Sequence, residues 1–315
     1  MVETTPDIQG VRIAGEYRLV RRLFPEGSIY SGYNIFTRMD FVFKILPTDA
    51  SPNTLSNEYR VYQELAGTVG IPRVHWFGTE RQCNILVLDA LGPSIEDLFL
   101  QHGHRFSLKT VLLLADQMIT LLETLHQHNY IHANLKPGHF LVGLGPSNST
   151  VHLISFGLAT HYRDAKTRLH LHSPASFTAA NNIYFASSNA QHGSRQSRRD
   201  DMESLLYILI YLLSGVLPWQ AFDGPRALES KVSIASSILC KDLPEAFSEY
   251  HAYVRELGYE DKPDYAYLRD LFHKVASREG SRYDGCFDWV AELPTSSATA
   301  IGTTRRARSL SKDRT

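Results

Sequence analysis

The chain changes its hydrophobic period once, at Leu91-Gly92-Pro93, and that change limits the folds open to it. Before it, apolar residues come in short runs: Tyr17-Arg-Leu-Val20, Ile29-Tyr-Ser-Gly32, Asp40-Phe-Val-Phe-Lys-Ile-Leu46, Val74-His-Trp-Phe77 and Asn84-Ile-Leu-Val-Leu-Asp89. Runs of this length, rich in β-branched and aromatic residues, predict strands. One helix interrupts them over 54–65, with Leu55, Tyr59, Tyr62 and Leu65 on one stripe. After Pro93 the spacing turns helical. Residues 107–126 form a long apolar-periodic segment that Ser107 can cap. Further helices are predicted over 200–213, 243–255 and 265–276. The fold class is therefore α+β, with a β-rich N-terminal part and a larger α-helical C-terminal part.

Composition narrows the function less than the fold. A chain of 315 residues can fill a large core or two lobes. A formal net charge of −1 supplies no global field toward nucleic acid or an acidic membrane, and neither is expected as a partner. Three cysteines, Cys83, Cys240 and Cys286, show no metal spacing and read as thiols of a reducing compartment. The start Met1-Val-Glu-Thr-Thr-Pro6 lacks the basic and apolar parts of a signal peptide. The longest apolar run, 205–213, is too short to span a bilayer and reads as a buried helix. The expected location is the cytoplasm, the nucleus or both. Residues 1–10 read as a flexible terminus. Residues 294–315, rich in Ser, Thr and Arg, read as a disordered basic tail that folding does not need.

Two neighbouring stretches carry the chemistry: Tyr130-Ile-His-Ala-Asn-Leu-Lys-Pro-Gly-His-Phe-Leu-Val-Gly143 and His152-Leu-Ile-Ser-Phe-Gly-Leu-Ala159. They resemble the catalytic loop H-R-D-L-x-x-x-N and the metal-binding D-F-G of protein kinases. Further stretches resemble the casein kinase 1 family: Leu91-Gly-Pro-Ser-Ile-Glu-Asp-Leu-Phe99, Gln196-Ser-Arg-Arg-Asp-Asp-Met-Glu-Ser-Leu205, Leu217-Pro-Trp-Gln220 and Asp261-Lys-Pro-Asp-Tyr265. The resemblance covers 17–293. It implies a bilobal fold, with a small β-rich lobe over 11–91 and a helical lobe over 92–293.

It also assigns roles by position. Lys44 matches the lysine that pairs the ATP phosphates, and Glu58 its helix partner. Leu88 matches the gatekeeper, Asp89 to Leu91 the hinge, and Leu141 the floor beneath the base. His132 and Asp201 match structural residues of the loop, with Asp201 holding its backbone. The acids, however, are changed. Ala133 and Asn134 stand in place of Arg and the base Asp, His139 in place of the metal-binding Asn, and Ser155 in place of the metal-binding Asp. Lys136 remains to neutralise phosphate charge. Asn134 carries no charge and is no base. His139 suits softer metals than Mg²⁺, and Ser155 offers one neutral oxygen where a hard cation takes carboxylate.

The phosphate loop is altered too. Leu23-Phe-Pro-Glu-Gly-Ser-Ile-Tyr-Ser-Gly32 is two residues short, and only Gly27 fits a family glycine. Pro25 has no N–H to give, and Glu26 would set a negative charge beside a triphosphate. The segment reads as a plain strand turn. Val42 stands where a smaller residue would leave room for adenine, so a packed, empty pocket competes with a nucleotide site. On the substrate side, Tyr184 replaces an arginine that would read acidic or phosphorylated residues, while Arg195, Arg198 and Arg199 read as a basic or merely solvated face. His161, His170 and His172 cluster without a carboxylate or Cys pattern to make a metal site.

The expected function is that of a casein kinase 1-like pseudokinase working as a scaffold or binding module for protein clients or other kinases. Weak ATP binding at most is expected, and Mg²⁺ is not. Two alternatives stay open: a slow serine/threonine kinase and an ATP-binding switch.

Overall fold

The computed structural model describes residues 10–24, 27–49, 54–171 and 182–290. The N-terminal part is one antiparallel sheet of six strands: β1 (Arg12–Ile13), β2 (Tyr17–Arg22), β3 (Ile29–Asn34), β4 (Asp40–Pro47), β5 (Val74–Glu80) and β6 (Cys83–Asp89), in the order β1-β2-β3-β4-β6-β5. Side chains alternate across a sheet, so register decides which residues share a face. Tyr17, Leu19, Tyr30, Phe41 and Phe43 point to one face and pack into a compact core of their own, with Tyr17 edge-on to both phenylalanines. Ile29 lies opposite Lys44, and Ser31 opposite Val42, so Ile29, Val42 and Lys44 share the other face. Helix α1 (Thr54–Glu64) joins β4 to β5, and Tyr59 stacks on Phe77 at 4.3 Å.

The second core fills the C-terminal part and reaches back to Leu55, Val61 and Tyr62 of α1 and to Leu86 and Leu88 of β6. After α2 (Ile95–Gln101), the long α3 (Leu108–Gln127) runs through it, capped by Ser107, whose hydroxyl accepts from the Thr110 N–H. Short strands β7 (Tyr130–Ile131), β8 (Phe140–Val142), β9 (Val151–Leu153) and β10 (Thr160–His161) pair as β7 with β10 and β8 with β9. Helices α4 (Ser188–Gln191), α5 (Arg198–Ser214), α6 (Gly224–Ser233), α7 (Ser236–Leu239), α8 (Glu245–Glu256) and α9 (Tyr265–Arg278) follow. Helix α5 is buried almost all round, as its unbroken apolar run requires. No helix among the described residues is long and apolar enough to cross a membrane.

Some boundaries differ from the sequence reading. Helix α8 starts at Glu245 rather than 243 because Pro244 serves as its N-cap residue. Helix α5 starts two residues early, at Arg198, after Ser197. Helices α4 and α7 are single turns with too few residues to display a period, and α6 buries only Ala227 and Lys231. The tail 294–315, the terminal residues 1–9, and Pro25, Glu26 and His172 lie outside the described residues.

Candidate functional site

The candidate site is a cleft whose roof is the Lys44 face of the sheet. Lys44 Nζ donates to Glu58 Oε2 at 2.5 Å. Glu58 is 1 % exposed, so the lysine is what makes a carboxylate tolerable there. Leu88 lies opposite Val42 at the back, and Leu91 follows β6 at the side. Asp89 turns away from the cleft. Its carboxylate accepts from the Arg73 N–H at 2.9 Å and from His75 Nε2 at 2.7 Å. Burial alone would raise its pKa; the His75 and Arg73 hydrogen bonds outweigh that and hold it below the usual carboxylate range. The floor is β8. Gly92 N donates to Val142 O and Val142 N to Pro93 O, at 2.9 and 3.1 Å, which sets Leu141 beneath the connection. A Cβ on Gly92 would sit 3.0 Å from both Gly143 O and Val142 Cγ2, so this close approach needs glycine.

The loop after β7 is shaped from below. Asp201, in the first turn of α5 and 1 % exposed, accepts from His132 N at 2.7 Å and Ala133 N at 3.0 Å. It also accepts from His126 Nε2 at 2.9 Å, and His126 Nδ1 in turn accepts from the Tyr265 hydroxyl at 2.7 Å. Ala133 is thereby kept at a φ of 63°, a left-handed conformation that costs an L-residue about 1–2 kcal/mol. His132 donates from Nε2 to Ile154 O at 3.1 Å and accepts at Nδ1 from Asn134 N at 3.4 Å. That pattern suits a neutral ring, and burial lowers its pKa.

Asn134 and Lys136 stand on the upper side of this loop. The Asn134 carbonyl accepts from His139 Nδ1 at 2.9 Å. His139 is buried, and burial, reinforced by His132 and Lys136, pushes its pKa well below the ordinary imidazole value. It is therefore neutral near pH 7, with Nδ1 bearing the proton and Nε2 a lone pair. Lys136 is exposed; its carbonyl accepts from His139 N at 2.9 Å, and its ammonium group makes no hydrogen bond among the described residues.

Ser155 sits across from this loop at φ 72°, and its N–H donates to the Tyr62 hydroxyl at 3.3 Å. Phe156 is buried edge-on to Tyr62, with ring centroids 4.9 Å apart. The Asn57 amide lies within hydrogen-bond reach of Phe156 O, Gly157 O and Ala159 O, at 3.4, 3.2 and 2.8 Å. A Cβ on Gly157 would come within 2.7 Å of Thr54 Cγ2. Helix α1 is thus clamped onto the Ser155 segment, which keeps Glu58 facing Lys44.

A model of the protein kinase domain matches residues 25–259, well over half of the chain. The chain belongs to the protein kinase family. The kinase fold normally presents a base, two Mg²⁺ ligands and a glycine-rich loop here. The Lys44–Glu58 pair is formed, and the kinase loop has its Asp201 support. The donors that His139 and Ser155 would offer do not fit Mg²⁺: they are one imidazole nitrogen and one hydroxyl, and a hard cation wants carboxylate oxygen.

Around the kinase phosphate loop, Leu23 N donates to Ile29 O at 2.9 Å and continues the β2–β3 ladder, while Gly27 is exposed at φ 139°. On the substrate side, Tyr184 is 40 % exposed, and its carbonyl accepts from Trp219 Nε1 at 2.8 Å. Arg198 corrects the expectation of a basic or solvated face. It is buried, lies 4.5 Å over the Tyr162 ring, and donates to the Tyr162 hydroxyl and to Glu260 O. Arg199 likewise donates to Leu257 O at 2.9 Å. Two residues of the grouped histidines pack rather than ligate: His161 stacks on Tyr130 at 4.0 Å, and His170 lies edge-on to Tyr162. Among the described residues, no group of three or more His, Cys, Asp or Glu could hold a metal ion.

The sequence reading placed Tyr62 on the apolar stripe of its helix but gave it no part in the site, and it missed Asn57, His126 and Lys231. The ammonium group of Lys231 donates to Ile183 O and Ala186 O, at 2.5 and 2.8 Å, and anchors the segment that carries Tyr184. None of these residues has a local motif to give it away.

Proposed function

We propose that this chain is a casein kinase 1-like kinase domain that has lost phosphoryl transfer and works by binding proteins, either clients or other kinases. The observation that carries the reading is a contrast between the two sides of this loop. Below, Asp201 accepts from two of its backbone N–H groups, those of His132 and Ala133, and from the His126 ring. Above, the reacting positions offer a carboxamide at Asn134, a neutral imidazole at His139 and a hydroxyl at Ser155. Losing a general base costs roughly 10²–10⁴ in rate. Losing one preorganised electrostatic stabiliser costs about 10²–10³. The losses do not simply add within one catalytic unit. The mild end alone would still bring a turnover of about 1–100 s⁻¹ down to roughly 10⁻²–1 s⁻¹. The subfamily assignment is supported by the motifs at 91–99, 196–205, 217–220 and 261–265. Weak nucleotide binding without Mg²⁺ is consistent with it.

The formed Lys44–Glu58 pair favours a second reading, a slow kinase or nucleotide switch. A transfer assay with Mg-ATP and an acidic, casein-like substrate separates them. No incorporation above that of a Lys44→Met control is expected. Turnover of a few per second, lost in Lys44→Met, would sink the silent-module reading.

A further inference from the structure

Six apolar side chains near the cleft, Leu23, Ile29, Val42, Leu91, Leu141 and Ile154, are half-buried. None of them belongs to, or packs against, either core cluster. They come from the roof (Ile29 and Val42 beside Lys44), the floor (Leu141) and the neighbouring connections. A slot of this kind suits a flat, largely apolar ring.

The acids around the inner end of the slot have partners: Glu58 is paired with Lys44, Asp89 accepts from His75 and Arg73, Asp201 holds the loop backbone, and Glu96 accepts from the Tyr211 hydroxyl at 3.3 Å and lies within electrostatic reach of Lys136. The Lys136 ammonium group makes no hydrogen bond among the described residues, and both it and Lys44 lie close enough to His139 to help keep that ring neutral. At Asn134, His139 and Ser155 a divalent cation would meet a carboxamide, an imidazole and a hydroxyl, with two ammonium groups beside them and no carboxylate.

We propose that the cleft takes a nucleoside polyphosphate as the metal-free anion, with Lys44 and Lys136 neutralising the phosphates, and that Mg²⁺ opposes binding. Chelated Mg²⁺ removes much of the negative charge that the two lysines recognise and brings a cation into a cationic site. The inference deepens the silent-module reading without depending on it.

The test is a thermal-shift and calorimetric titration of the full chain with ATP, once in EDTA and once in excess Mg²⁺ or Mn²⁺. Binding in EDTA, weakened roughly tenfold by Mg²⁺, is the expected result. Lys136→Ala, a change at an exposed position that folding should tolerate, should weaken metal-free binding about three- to tenfold, the worth of one partly exposed charge contact. Tripolyphosphate should compete, since the lysines recognise phosphate charge. Binding that appears only with Mg²⁺ or Mn²⁺ would overturn the proposal and favour a metal-held nucleotide. No binding under either condition would also overturn it, yet leave the silent-module reading standing. That reading fails by phosphate transfer, a separate measurement.

Discussion

Asp201 does more for this molecule than any residue of the reacting surface above it. Its two carboxylate oxygens satisfy His132 N, Ala133 N and the His126 ring in a site closed to water. Asp201→Ala leaves all three donors unpaired, at roughly 1–3 kcal/mol each. Urea unfolding should register a loss of several kcal/mol, or the protein should not accumulate in folded form. Ser155→Ala should cost under about 1 kcal/mol in the same experiment, since that hydroxyl makes no hydrogen bond among the described residues and the backbone N–H that Tyr62 accepts is kept. Equal losses in the two variants would mean that Ser155 carries structural weight unseen in its contacts. Asp201 could be found in the sequence because it stands in a recognisable run just before a long apolar helix. His126, its partner, could not: it lies inside a periodic helix, where a histidine looks like one more residue on a face. Arg198 misled for a related reason. Two adjacent arginines resemble a surface patch, and it takes the Tyr162 ring and the Glu260 carbonyl, both distant in sequence, to turn one of them inward.

At the scale of elements, α1 meets the segment after β9 through Tyr62, which packs on Phe156 and accepts from Ser155 N, and through Asn57. Asn57 reaches three carbonyls about a hundred residues further on, the only side chain of the helix seen to hold that many of them among the described residues. Asn57→Ala should lower stability by about 1–2 kcal/mol and speed amide hydrogen exchange over 155–159. Unchanged exchange there would show that Phe156 packing against Tyr62 suffices. An asparagine on a helix face carries no pattern, so this clamp was illegible, whereas Lys44 and Glu58 could be read from strand, spacing and helix together. The longer helices were likewise readable from their period. The short α4, α6 and α7 were not, because tertiary packing rather than a repeating stripe decides them.

For the whole molecule, stability should depend on pH through its buried imidazoles. Burial lowers the pKa of His132 and His139 in the folded state, and of His152 and His251 with them. Below the ordinary value near 6.5 the unfolded chain therefore takes up protons that the folded chain refuses. Stability falls with falling pH by about 1.4 kcal/mol per pH unit for each such proton. Asp200 acts with the opposite sign. Burial raises its pKa to about 6, so between pH 6 and 3.8 the folded state gains a proton first and recovers part of the loss. Unfolding free energies should drop from pH 7.5 to 6 and fall less steeply below; a flat profile across pH 7.5 to 6 would contradict neutral, buried histidines. The six half-buried side chains along the cleft belong to neither core cluster, although the larger of the two runs past them from α1 and β6 into the C-terminal helices. Neither cluster counts on what lines that seam. Mutational drift along it can erase a chemistry while the shape is inherited intact, and the same independence leaves the seam open to recruitment for another task.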